Sequence, residues 1–321
     1  MRMSLREIDA VSYRPHFIHG EDRVWTETNC YVDLWVELLH ALGLDPVPAT
    51  ACAFSADFEG DQWSFLKFPA EDLRVLYGIE VAEINVWRGL LDHVEEQLRR
   101  DRLLTMEVDS WWLPDTSGVS YRTDHVKTTI AVQMVDRSQR VAGYFHGRGY
   151  HELEGEDFDA VFSPSAASLV PYVELVRLER IHPDQRLLPD WMMLAHGHID
   201  RRPDDNPVDR LGARLEQDLG LLATHGLDFF HVYSFAVLRQ FGATAELAGD
   251  FADWAARRGE TSLVDAGDEF RAASSAAKSL QFQLARAARG RRVDVDSPLT
   301  TMAERWAAGM RYVVKWRTEY Q

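Results

Sequence analysis

Glu27-Thr28-Asn29-Cys30-Tyr31-Val32-Asp33-Leu34-Trp35 decides how the first half of this chain is read. A polar triplet precedes an apolar stripe at helical spacing, Leu34, Trp35, Leu38, Leu39 and Leu42. Thr28 or Asn29 caps the start, and Gly43 with Pro46 ends the run, which predicts an amphipathic helix over 30–42. Cys30 then lies in the first turn, where the positive end of the helix dipole favours thiolate. Its neighbours Glu27, Thr28 and Asn29 are polar, so the site can face solvent, and polar groups here are expected to help hold an oxyanion near the helix N-terminus.

Well beyond it, Asp124-His125-Val126-Lys127-Thr128-Thr129-Ile130 opens a run with the alternation of a strand, 125–135. Val126, Thr128, Ile130, Val132 and Met134 are expected on one side. A histidine on a distant strand can come to lie beside a thiol and take its proton. Between the two, a helix is expected at 86–100, a strand at 103–112 and a loop at 115–124. Further strands are expected at 49–58, 141–145 and 171–181, and a short helix at 154–162. From about 205 the periodicity is helical throughout, with glycines 226, 242 and 259 as punctuation. The expected fold class is α+β: an α+β domain over 1–165, a connector with one strand over 166–204 and an all-helical domain over 205–321.

A base must itself be oriented by a third group. Asp136 ends the strand begun by His125, roughly ten residues or about 30 Å away, and is too far. Asp109 ends the preceding strand, close to the loop that delivers His125, and is the first candidate; His146 in Gly143-Tyr144-Phe145-His146 is the second. Trp111 flanks Asp109. Gln62 in the polar turn Phe58-Glu59-Gly60-Asp61-Gln62-Trp63 is a further oxyanion donor candidate. Cys52 lies in an apolar, strand-like run and is expected to be inert. His196-Gly197-His198 with Asp200 is a weak metal signal, because no further ligands follow at zinc spacing; no metal and no resident cofactor are expected. Arg286, Arg289, Arg291 and Arg292 suit a helix C-terminus or an acidic partner.

Composition narrows the classes. A formal charge of -16 argues against general nucleic-acid binding. No apolar run approaches the roughly 20 residues needed to cross a bilayer, and the N-terminus lacks the apolar stretch of a signal peptide. The expectation is a cytoplasmic protein, and two cysteines in 321 residues speak against a disulfide framework.

Cysteine on a helix first and histidine on a later strand is the order of papain-like enzymes. Val108-Asp109, Trp111-Trp112, Leu113-Pro114 and His125 resemble the N-terminal domain of the butirosin-biosynthesis acyltransferase family. That resemblance implies a papain-like fold with a Cys–His pair. It implies transfer of an acyl group from a carrier-protein phosphopantetheine thioester to an amine. The runs 27–35, 58–63, 125–129 and 143–146 resemble a bacterial family of uncharacterised function, encoded near amino acid:carrier-protein ligases. The expected activity is acyl transfer with Cys30 as nucleophile, His125 as base and Asp109 as its orienter. A thioesterase or amidase with the same pair, or a non-catalytic carrier-protein-binding module, are the alternatives. The implied partner is an aminoacyl or acyl carrier protein.

Overall fold

The computed structural model describes residues 2–163, 170–181 and 190–320. The chain divides into two compact units. Met1–His19, Asn29–Pro46 and Pro69–Pro189 form the first; Gly20–Thr28, Val47–Phe68 and Asp190–Gln321 form the second. The fold is mixed α and β, with an antiparallel sheet in the first unit and helices dominating the second.

In chain order the strands are β1 (Arg2–Ser4), β2 (Phe58–Glu59), β3 (Gln62–Trp63), β4 (Glu80–Glu83), β5 (Leu103–Asp109), β6 (Lys127–Asp136), β7 (Val141–His146), β8 (Gly149–Glu154) and β9 (Val173–Arg177). Among the described residues, seven of them make one sheet in the order β4-β9-β5-β6-β7-β8, with β1 also on β6. β6 is the organising strand. Its first part pairs with β5, from Asp109↔Lys127 to Leu104↔Val132, and its far end pairs with β1. The strand expected in the connector, β9, is an interior strand between β4 and β5. Residues 166–169 and 182–189 of that expected connector lie outside the described residues.

The alternation of β6 changes phase. The register with β7 shifts between Val132 and Met134. An extra residue at a bulge leaves two residues opposite one and reverses which side chains face inward. Ile130, Val132 and Val135 therefore share one core cluster with Leu104, Met106 and Val173, and Met134 lies on the other side. The expectation that Met134 continues the Ile130 face fails for that reason. Val126 and His125 precede β6, and Val126 is exposed. The Ile130 face is covered by α3 (Leu90–Leu98) and α4 (Gly155–Phe162), which supply Leu90, Val94, Phe158 and Val161 to the cluster.

The opposite face carries α1 (Cys30–Ala41), which contacts β6, β7 and β8; α2 (Ala70–Tyr77) contacts β4. α1 is not amphipathic in place: every residue from Tyr31 to Leu39 is buried, Asp33 and Glu37 included. Burying a carboxylate is costly unless it is paired and hydrogen-bonded. The N-terminal segment does this. His19 bonds Glu37 through Nδ1 and lies 3.3 Å from Asp33 through Nε2. Tyr13 donates its hydroxyl to Glu37 at 2.6 Å, and the His16 amide donates to it at 3.1 Å. Burial alone would lower the His19 pKa, but its bonds to Asp33 and Glu37 and their charges outweigh that and raise it from 6.5 to about 9. His19 is thus a cation at neutral pH, held between two buried anions.

In the second unit the expected strand at 49–58 is instead a 3-10 stretch, Val47–Ser55, followed by the short ribbon β2–β3. Small side chains at Ala49, Ala51 and Ala53 let it pack closely on α7 (Gln240–Arg257), where Thr50 donates to the Leu247 carbonyl at 3.2 Å. The other helices are α5 (Trp191–Asp200), α6 (Pro207–Tyr233), α8 (Ala266–Ala287) and α9 (Asp296–Thr318). Gly226 breaks α6 with φ 70° and ψ −149°. Gly242 does not interrupt α7; the missing side chain makes room for the Trp25 indole, whose Nε1 a Cβ would strike. Gly259, at φ 111°, lies just past its end. By length and composition the run Pro207–Arg257 holds a window of mean hydropathy 1.2, apolar enough to cross a membrane, a test that core helices also pass. The break at Gly226 means the run is not one regular helix.

Removing His19 strands two carboxylates in the core. His19→Ala should lower the unfolding free energy by about 3–5 kcal/mol, measured by urea denaturation at neutral pH. The raised pKa also sets a sign. The His19 contribution is fully present below the ordinary value of 6.5 and is lost as pH rises through about 9. Wild-type stability should fall across that window, and the fall should be missing in His19→Gln.

Candidate active site

Asn29 stands before α1 in extended conformation, φ −155°, and its side-chain oxygen accepts the amides of Tyr31 and Val32, each at 3.0 Å. The expected cap is therefore Asn29, and Cys30 is the first helical residue. Its thiol is half-buried and lies 3.8 Å from the Thr129 hydroxyl on β6. Cys52 is 3% exposed.

The sheet around this point is polar for a reason of period. Thr105, Glu107 and Asp109 alternate along β5 and pair with Ala131, Thr129 and Lys127 of β6, so all share the α1 side. Lys127 pairs with Glu107 at 3.0 Å. Glu174 of β9, opposite Thr105, is buried and accepts the hydroxyls of Thr105 at 2.9 Å, Tyr172 at 3.0 Å and Tyr31 at 3.2 Å. Burial and the Glu174 charge raise the Tyr31 pKa, so its proton stays on as a donor.

His125 lies at the open end of this face. Asp109 Oδ2 is 2.6 Å from His125 Nδ1, while Asp109 Oδ1 accepts the Trp111 amide at 3.0 Å. The Trp111 indole stacks on the imidazole at 4.5 Å and an interplanar angle of 10°. A carboxylate can only accept from an uncharged imidazole, which places the proton on Nδ1 and leaves Nε2 as the proton acceptor. The loop that delivers His125 is pinned: Tyr121 and Arg122 bond Asp157 at 2.9 and 2.6 Å, and the Ser110 amide bonds the Val126 carbonyl at 2.9 Å. His125 itself is two-thirds exposed, its side chain at 67%.

Cys30 and His125 are on one sheet face but not in contact. Thr129, the residue at the thiol, is four residues from His125, about 13 Å of extended chain. Lys127 with Glu107 stands between them. Asp109 is brought to His125 as expected; Trp111 joins it by stacking.

His146 has the parity of Tyr144 and lies on the opposite sheet face. There its Nε2 is 2.7 Å from the Thr128 hydroxyl and its Nδ1 2.6 Å from Asp115. It does not complete the Cys30 site. Burial by itself would raise the Asp115 pKa, but the His146 bond and the charges of His146 and His151 lower it. Glu27 and Gln62 belong to the second unit; Glu27 pairs with Arg239 at 3.5 Å, and Gln62 is exposed in the β2–β3 ribbon. On α5, His196 packs edge-on to Trp316, Asp200 pairs with Arg317 at 3.1 Å, and His198 Nδ1 is 2.9 Å from Arg201. Among the described residues no three His, Cys, Asp or Glu side chains gather as a metal site.

Thr129, Glu107, Lys127 and Glu174 were not singled out by the sequence reading. Their signal was present as polar residues at alternate positions of β5 and β6, but which face α1 covers is a tertiary fact.

Two family models match the chain: the DUF1839 N-terminal domain over residues 14–178 and the DUF1839 C-terminal domain over residues 184–315. No curated protein matches the sequence.

Exposure and position separate the two thiols. Iodoacetamide at neutral pH should alkylate Cys30 at least tenfold faster than Cys52 in the native protein, read by peptide mass spectrometry. Equal rates, or faster labelling of Cys52, would contradict the assignment.

Proposed function

The chain belongs to the DUF1839 family across both of its domains, and from the chemistry gathered in the first we propose a papain-like, cysteine-dependent acyltransferase. The observation that carries the reading is a hydrogen-bonded His125–Asp109 pair on the same sheet face as a thiol at a helix N-terminus. A helix carrying cysteine, packed on an antiparallel sheet with the acid ending β5 and the histidine just ahead of β6, supports the papain-like part. The resemblance of Val108-Asp109 and His125 to the butirosin acyltransferase pattern supports a carrier-protein thioester as donor.

Cys30 thiolate attacks the thioester carbonyl. The new S–C bond forms as the bond to the phosphopantetheine sulfur breaks, and that sulfur leaves as a thiolate, which takes a proton from water. Asn29 occupies the amides of Tyr31 and Val32, so the first-turn donor left for the oxyanion is the Cys30 amide. The acceptor amine then attacks the acyl-enzyme, and His125 Nε2 takes its proton. The amine nitrogen bonds to the carbon held on Cys30 Sγ, so this second role also needs His125 within hydrogen-bond reach of that nitrogen, closer to the thiol than it stands. Taking the proton of Cys30 requires the exposed His125 to move toward α1. With water as acceptor the same pair is a thioesterase or amidase. A free thiol of this kind suits a reducing compartment such as the cytoplasm.

A second reading rests on one observation. The side chain beside Cys30 is Thr129, which is no base at neutral pH. That favours a module that binds a charged carrier protein without transferring its acyl group.

Incubation with a carrier protein bearing an aminoacyl or acyl phosphopantetheine thioester separates the readings. Intact-protein mass spectrometry should show an acyl gain on wild type and Cys52→Ala and none on Cys30→Ser. Asp109→Asn keeps an oxygen for the Trp111 amide but turns a donor toward His125, forcing the wrong tautomer. It should slow acylation by about 10²–10⁴-fold with little change in melting temperature. Co-elution with the carrier but no acyl gain on any variant establishes the binding module. Neither gain nor co-elution removes both readings.

A further inference from the structure

The helical unit contains a cavity of about 460 Å³ that the Cys30 chemistry does not use. We propose that it binds a small amphipathic monoanion, an aliphatic carboxylate whose chain enters the cavity and whose head stays at the rim. This inference is independent of the acyltransfer reading.

The floor is apolar and fixed. Trp306, Met310 and Val314 recur every fourth residue on α9 and line the cavity together with Phe54. Phe54 is fully buried and Trp306 nearly so. Behind them Phe270 packs 5.9 Å from Phe54 and 5.2 Å from Trp306, ring centre to ring centre. An apolar floor with polar groups placed to orient a ligand is the usual make-up of a small-molecule site, and the volume falls within the range of about 300–1,000 Å³.

The rim is cationic in an acidic protein. Arg311 and Lys315 follow one position after Met310 and Val314, so the α9 stripe beside the apolar one carries positive charge to the mouth. Arg202, across the mouth, is held by a bond from its guanidinium to the Ile199 carbonyl at 2.8 Å. Among the described residues no carboxylate lies within ion-pair distance of Arg202 or Arg311, and Lys315 reaches only Glu319 at 3.9 Å. Two acids share the rim, Asp204 and Asp205; Asp205 lies 3.3 Å from Arg210, which also bonds Asp57. The lining holds three cations, Arg202, Arg311 and Lys315, and two carboxylates, Asp204 and Asp205, a balance of +1 where the whole chain carries -16. An anchored guanidinium and a second one at the rim of an apolar floor recognise a carboxylate joined to an apolar body.

Isothermal titration of the full chain with decanoate tests this, with 1-decanol as the neutral probe. Saturable 1:1 decanoate binding is expected, with decanol at least tenfold weaker. The double variant Arg202→Gln/Arg311→Gln, which changes only rim side chains, should weaken decanoate tenfold or more and leave decanol unchanged. Met310→Trp fills the cavity and should abolish binding of both. The variants are compared only where their melting curves match wild type; the rim double variant carries the test if Met310→Trp does not fold. No saturable decanoate binding, equal affinity for decanol, or decanoate binding unchanged in the rim variant overturns the proposal.

Discussion

Two carboxylates buried in one helix are the constraint around which the first unit is built. α1 lies against the sheet with Asp33 and Glu37 inside, and neither would be tolerated without a cation and donors brought from elsewhere in the chain. His19, Tyr13 and the His16 amide supply them. The N-terminal segment is therefore a structural part of α1. Leu34, Trp35, Leu38 and Leu39 anchor the same helix by apolar burial, which is not directional; the polar network adds a definite rotation and height. The position of the Cys30 thiol against Thr129 follows from that.

The chemistry gathers where the sheet runs out from under α1. Alternation places Thr105, Glu107 and Asp109 of β5 beside Lys127 and Thr129 of β6, and the loop pinned by Asp157 sets His125 at the end of the row. Asp109 serves two ends at once, capping the turn at Trp111 and holding the imidazole. The turn and the tautomer therefore depend on the same carboxylate. On the other face Thr128, His146 and Asp115 form a separate hydrogen-bonded chain, so neighbouring residues of one strand feed two unrelated polar clusters.

Much of this was legible locally. Asn29 before an apolar stripe marks a helix start, and the α1 cap is that residue. The Val108-Asp109 strand end and the polar loop after it point to His125, and Asp109 meets it. What was not legible depends on partners. The bulge near Gln133 cannot be seen without β7, and it decides that Val135 and not Met134 faces the Ile130 core. His146 was a candidate for the Cys30 site until the parity of β7 placed it opposite. The stretch 47–55 is apolar without alternation, and its small residues serve close packing on α7 rather than a strand. The burial of Asp33 and Glu37 defeats an amphipathic reading of α1, because the compensating cation lies outside the helix.

The claim on which the functional account turns is that His125 and the Cys30 thiol work as one chemical unit despite their spacing. The alkylation rate of Cys30 at neutral pH, in a Cys52→Ala background, measures this without any knowledge of the substrate. If the two are coupled, His125→Ala should slow alkylation of Cys30 several-fold while leaving the melting temperature unchanged. Identical rates with and without His125 would contradict the account.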